Sequence, residues 1–139
     1  MVRSTSAPIM RAVVRVLRSD ATLKAAIKGG YHDGFAPAKT AYPLLTYQLI
    51  TAPYGHTWDR REILCLVDVS VWAESPVTAK NCDQLVLNAL DDAQLEVDGQ
   101  TTLICRRVAD IPGGAETDSE GKKIYQIGGS YEIWTDQPL

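Results

Sequence analysis

The sequence predicts an α+β fold: a mainly antiparallel sheet of four to five strands, with two main helices packed on one face and long hairpins. Three observations carry this reading. Ile63, Cys65, Val67, Val69, Val71 and Ala73 recur at every second residue, which gives one face of a long strand to a core. The strand turns through Glu74, Ser75 and Pro76 into a segment where Ala79, Cys82, Val86, Ala89, Leu90 and Ala93 share one stripe at helical spacing. The elements then run helix, strand, strand, helix and three strands, joined mostly by hairpins instead of the long crossovers that parallel strands require.

Each element has its own local justification. Ser6 is placed to cap a first helix with Pro8 in its opening turn, and Ile9, Val13, Val16 and Leu17 form its apolar face. Ser19 and Asp20 read as a stop and a new cap, so Leu23, Ala26 and Ile27 continue as a shorter helix that Gly29 and Gly30 end. The turn-rich segment from Tyr31 to Tyr42 is expected as an ordered crossing loop. Alternation of Leu45, Tyr47 and Leu49 gives the first full strand, and a long connection from Ala52 to Arg61 leads to the strand from Ile63, which should pair with it antiparallel. Ser75 and Pro76 cap and open the second main helix. Leu95 and Val97 then lead to Asp98 and Gly99, a dipeptide suited to a type I′ turn, so a hairpin is expected there. Pro112 to Lys123, with Glu116, Asp118 and Glu120, reads as a mobile acidic loop or a hairpin tip. In the last strand, IYQIGGSYEIWT, Gly128 and Gly129 suggest a bulge or a bend.

Composition bounds the function classes. A chain of 139 residues with 45% hydrophobic content fits a single domain over 1–139, large enough to bury a core without disulfides or metals. Its formal charge of −3 provides no global positive field for nucleic acid. Cys65, Cys82 and Cys105 are odd in number, lie in apolar segments and form no CxxC pair, so buried reduced thiols are expected. No apolar run approaches the roughly twenty residues of a membrane span, and the start MVRSTSAPIM lacks a signal-peptide core. A soluble chain made in the cytoplasm, without membrane partners, is therefore expected.

No reactive spacing stands out. His32 lies beside Asp33 and His56 near Asp59, but there is no HExxH, no GxSxG and no phosphate-cradling glycine loop. The expectation is no catalytic residue, no metal ligand and no cofactor. A nucleic-acid module, resting on Arg60, Arg61, Arg106 and Arg107, is weakened by the acidic total. Contact surfaces are better supported. Arg11, Arg15 and Arg18 form a basic stripe at helical offsets, either a solvated face or a subunit contact. Asp91 and Asp92, with Glu96 and Asp98, cluster at the end of the second main helix, where carboxylates oppose the helix dipole and an outside partner would explain them. Tyr54, His56, Trp58, Arg60 and Arg61 gather aromatic and arginine side chains in one connection, the residue types enriched at interfaces.

The pattern resembles the tail terminator or tail-completion proteins of long-tailed bacteriophages, together with related minor tail proteins of prophages. The resemblance rests on the N-terminal helix ending near Ile27, on YHDGFAPAKTAYPLLTYQLI, on VDVSVWAESPVTAKNCDQLVLNAL and on the closing KIYQIGGSYEIW. The stretch TAPYGHTWDR is not specified by the family pattern. What the resemblance implies is a structural virion protein that forms a ring, commonly of six subunits, at the head-proximal end of the tail tube. Such a ring ends tube polymerisation and joins tail to head after assembly in the host cytoplasm. The implied partners are further copies of the chain, the tail tube protein and the head-tail connector, with nucleic acid only passing through the ring lumen. The alternatives are a head-tail connector (neck) protein and, more remotely, a small nucleic-acid-binding or enzymatic domain.

Overall fold

A computed structural model describes residues 6–51, 54–56, 60–97 and 101–138; at 6, 51, 54–56, 60–63, 101–103 and 137–138 it describes the backbone alone. Helix α1 (Ser6–Ser19) turns Ile9, Ala12, Val13 and Leu17 fully inward, with Val16 partly buried beside them. Asp20 is the predicted cap: its Oδ1 accepts from the Leu23 amide at 2.9 Å and opens α2 (Ala21–Ala26). Gly29 and Gly30 end that helix. A Cβ on Gly29 would lie 1.9 Å from the Ala41 carbonyl oxygen, and Gly30 adopts φ +81°, so both positions require glycine.

The segment after Gly30 departs from a plain loop, because Tyr31–Asp33 forms strand β1, parallel to β2 (Leu44–Thr51). Three residues are too few to show a period. β2 pairs antiparallel with β4 (Arg60–Ala73), as expected, with Leu45 opposite Val71 and Tyr47 opposite Val69. β4 starts before Ile63 and runs for 14 residues, roughly 46 Å at the usual rise per residue. Part of the predicted long connection is itself ladder: β3 (Tyr54–His56) pairs with Arg61–Ile63.

Helix α3 spans Pro76–Leu90, ending three residues short of Ala93. Ser75 occupies the N-cap with extended backbone, but its side chain makes no capping hydrogen bond. The expected hairpin about Asp98 and Gly99 is not a strand pair. Its turn lies outside the described residues, and 93–97 is not strand; Leu95 and Val97 alternate inward because the segment plugs the core. Among the described residues, two strands therefore follow α3 instead of three: β5 (Thr101–Thr117) and β6 (Lys123–Pro138), a long hairpin with its tip at 118–122.

The sheet order is β1-β2-β4-β6-β5, with β3 beside this path on β4. Cys65, Val67, Val69, Val71 and Ala73 are all buried, and the first four join α1, α2, α3, Leu95, Val97, Tyr131 and Ile133 in one core cluster. The helices thus cover one face. On the other, Trp72 Nε1 donates to Thr46 Oγ1 at 3.0 Å, Gln126 Nε2 to Ser70 Oγ at 3.0 Å and Trp134 Nε1 to Glu132 Oε1 at 2.7 Å. Asp68 lies on this mixed polar and aromatic face as well, and its Oδ1 accepts from the Ser130 hydroxyl.

The glycine pair in β6 makes no bulge: its register with β4 is unbroken from Arg60–Pro138 to Ala73–Tyr125. The irregularities fall instead in β5, at Thr102/Ile104, Arg107/Ala109 and Ile111/Gly114. Pro112 and two glycines are tolerated there because β5 is an edge strand and the bulge needs no amide from Pro112.

Candidate interaction surfaces

Helical spacing places Arg11, Arg15 and Arg18 on the exposed side of α1, as expected from their offsets. They border an open groove of about 780 Å³ between α1 and the β1–β2 end of the sheet, which Met10, Val14, Tyr47 and Asp33 also line. Arg15 Nη1 donates to the Glu96 main-chain oxygen at 3.2 Å, so the basic stripe and the acidic connection meet at one point within the same chain.

Of the acidic residues at the end of α3, Asp91 has a partner within the chain for its carboxylate, whereas Asp92 is held through its main chain. Asp91 Oδ1 accepts from the Arg107 amide at 3.0 Å, and the Asp92 amide donates to the Cys105 oxygen at 2.7 Å. The α3–β5 connection therefore satisfies part of the outer edge of β5, a position where an unpaired strand invites unwanted pairing. Asp92 takes φ +58°, a conformation Asp tolerates better than most residues.

The aromatic and arginine connection divides. Tyr54 and His56 sit in β3 and Arg60 and Arg61 in β4, with their backbones in the ladder, whereas Trp58 lies outside the described residues. The acidic segment after β5 is a hairpin tip, not a free loop. Asp118 Oδ1 accepts from the Glu120 and Lys122 amides at 2.9 Å each, and Tyr42 OH donates to Oδ2 at 3.1 Å. The Lys122 amide, followed by that of Glu120 and the Tyr42 hydroxyl, holds this carboxyl below its ordinary range. His32 belongs to β1, with Nε2 2.7 Å from the Gly29 oxygen; since a carbonyl only accepts, Nε2 carries the proton.

Sequence reasoning missed a polar cluster under α3. Arg107 leaves β5 across Gly129, donates from Nη1 to Asp83 Oδ2 at 3.0 Å and from Nη2 to the Gly128 oxygen at 2.6 Å, and lies 6.0 Å from the Tyr131 ring centre. Its Nε is 3.0 Å from Asp110 Oδ1, a charge contact without hydrogen-bond alignment. Burial pushes the Asp83 carboxyl up against the opposing pull of Arg107, and burial likewise raises the Tyr131 hydroxyl. The available signal was indirect: Asp83 interrupts the buried stripe of α3, and a glycine pair lies where two inward or outward side chains would be expected.

The cysteines are free and buried; burial pushes Cys65 up to about 11, Cys105 up to about 12, and Cys82 upward. Such thiols are poor nucleophiles. Among the described residues, no group of three or more His, Cys, Asp or Glu is arranged to hold a metal, and no helix is long and apolar enough to cross a membrane.

Together these features define a small α+β domain whose distinctive chemistry lies at its surfaces and strand edges. The family model described as tail completion protein gp17 matches residues 11–136, and the chain belongs to that family. It is accordingly a structural tail-completion protein of phage-type virions. Its fold is shared with a chain from the structure of a native gene transfer agent particle, at 17% identity and TM-score 0.74, covering 97% of this chain and 99% of that one. Another solved structure, 15% identical with TM-score 0.57, covers 94% of this chain and 96% of its own. No curated protein sequence matches the chain at a significant level.

Proposed function

We propose that the chain forms a ring, with six subunits as the expected number, at the head-proximal end of the tail tube. There it ends tube polymerisation and joins the tail to the head, with itself, the tube protein and the head-tail connector as partners and no enzymatic role. The observation that carries this reading is the tail-completion family match over nearly the whole chain. Its likeness in fold to a chain of a complete virion particle, again over nearly the whole length, is in keeping with it. The basic groove of α1 and the β3–β4 hairpin, with Tyr54, His56, Trp58, Arg60 and Arg61, are the proposed contacts to neighbouring subunits or tube. The test is electron microscopy of the purified chain mixed with its tube protein. A ring at one end of each tube is expected; rings along the tube, or binding to the portal side of heads with none to tubes, would favour a neck protein instead.

A further inference from the structure

Charge in this chain is segregated along the sequence. Residues 1–30 hold six basic residues against one acidic, a formal +5, whereas residues 31–139 hold eight against sixteen, a formal −8. The fold converts this into a difference between the two lateral ends of the sheet. At the β1–β2 end lies the α1 groove, whose half-buried Met10, Val14 and Tyr47 lie between the exposed guanidinium-bearing Arg11, Arg15 and Arg18. At the opposite end β5 exposes Asp110 and Glu116 together with Arg106, whose charge is met by Glu132 at 3.6 Å; Asp110 also lies 3.0 Å from Arg107 Nε, and Asp92 is held against the edge through the Cys105 oxygen.

We infer that the α1 groove receives the β5 end of a second copy of the same chain, with Arg11 and Arg18 facing Asp110 and Glu116. This rests on the ring reading above and deepens it, since it names the two surfaces that meet. A contact between unlike surfaces at opposite ends of one sheet is head-to-tail, and repeated with a closing rotation it generates a ring. Opposite charge at the two ends sets the register and disfavours pairing of like ends. The half-buried apolar lining suits protein side chains better than a phosphate backbone, and the formal −8 on the rest of the chain would repel a polyanion.

The experiment measures assembly of the full chain, alone and beside tubes, by sedimentation and electron microscopy. It compares wild type, Arg11→Glu/Arg18→Glu, Asp110→Lys/Glu116→Lys, the chain carrying all four changes, and Glu116→Lys alone, which leaves the Asp110 contact to Arg107 in place and should weaken association in the same direction. Circular dichroism checks that each is folded; Arg15 is left in place because it holds the Glu96 oxygen. Each double variant should weaken association tenfold or more, and the fourfold variant should recover it, because the charges are again opposite. Wild-type rings with equally stable double-variant rings, or a folded fourfold variant that does not recover, overturn this pairing and leave the ring reading intact. A wild-type chain that remains monomeric both alone and on tubes removes both. Duplex DNA binding that is lost in Arg11→Glu/Arg18→Glu while assembly is unchanged would assign the groove to nucleic acid and overturn the pairing.

Discussion

At the scale of single residues, the most consequential interaction is the one the sequence hid. Arg107 and Asp83 are about one-eighth exposed, so their pairing links β5 to α3 through a poorly solvated contact. Removing one partner from such a pair leaves the other buried and unpaired. Arg107→Met should therefore destabilise the fold by about 2–3 kcal/mol near neutral pH in urea unfolding. The pH dependence has a definite sign. Asp83 is raised above its ordinary value in the folded chain, so its contribution is fullest below that value and declines as pH rises through the folded one. Without Arg107 the raise becomes larger, and the cost of the substitution should shrink as pH falls and the carboxyl is protonated. A cost that stays constant as pH is lowered to the acid limit of the folded range would show that the pair is not electrostatic. Gly129 belongs to the same unit: a Cβ there would lie 2.2 Å from Arg107 Nε, so Gly129→Ala should displace the guanidinium and reproduce much of the loss. None of this shows as a motif, because the partners come from different elements and the glycine acts by what it lacks. The thiols provide a separate check. With Cys65 and Cys105 pushed up to about 11 and 12, a thiol-directed reagent at pH 8 should label the native chain negligibly and all three cysteines after denaturation. Rapid labelling of the native protein would contradict their burial.

At the scale of elements, legibility followed periodicity. β4 was readable because its core face alternates without interruption, and α3 because Ala79, Cys82, Val86 and Leu90 keep helical spacing around the one buried polar residue, Asp83. β1 was unreadable, since three residues in a turn-rich segment carry no period, and its formation depends on the ladder offered by β2. β5 was cut short in the sequence reading at Pro112, where an edge strand can continue through a bulge. The supposed strand at Leu95 and Val97 failed for the converse reason: alternation reports which side chains face inward, not whether the backbone is paired. The register of β4 itself has a direct test. Val69 and Val86 are both buried in the one core, with 1% and 0% exposure. Val69→Asp should cost at least about 3 kcal/mol, through loss of apolar burial and an unpaired charge. Unchanged thermal stability would mean that Val69 does not face the helices.

At the scale of the whole molecule, the arginine stripe was legible from helical offsets alone, but the groove beside it was not, because Tyr47 reaches it only after β2 is placed alongside α1. The β3–β4 hairpin shows the same division. Its residue types were visible in sequence, while the ladder that holds Tyr54 and His56 against Arg61–Ile63 depends on pairing. This hairpin extends the strand that lies at the centre of the sheet path, so a contact made there would be anchored in the most extensively paired strand of the fold. Trp58 is the residue in this connection whose truncation should remove the most contact area, and a Trp at an interface centre contributes about 2 kcal/mol or more. Trp58→Ala should leave the isolated chain folded, with an unchanged unfolding midpoint, while weakening ring formation or tube capping at least about thirtyfold, the equivalent of that energy. Particles assembled with this variant should then show tails of irregular length or tails detached from heads. If Trp58→Ala instead unfolds the monomer, the side chain belongs to the core. If particles lacking the chain altogether still carry tails of normal length attached to heads, its role as the ring that ends the tube is refuted.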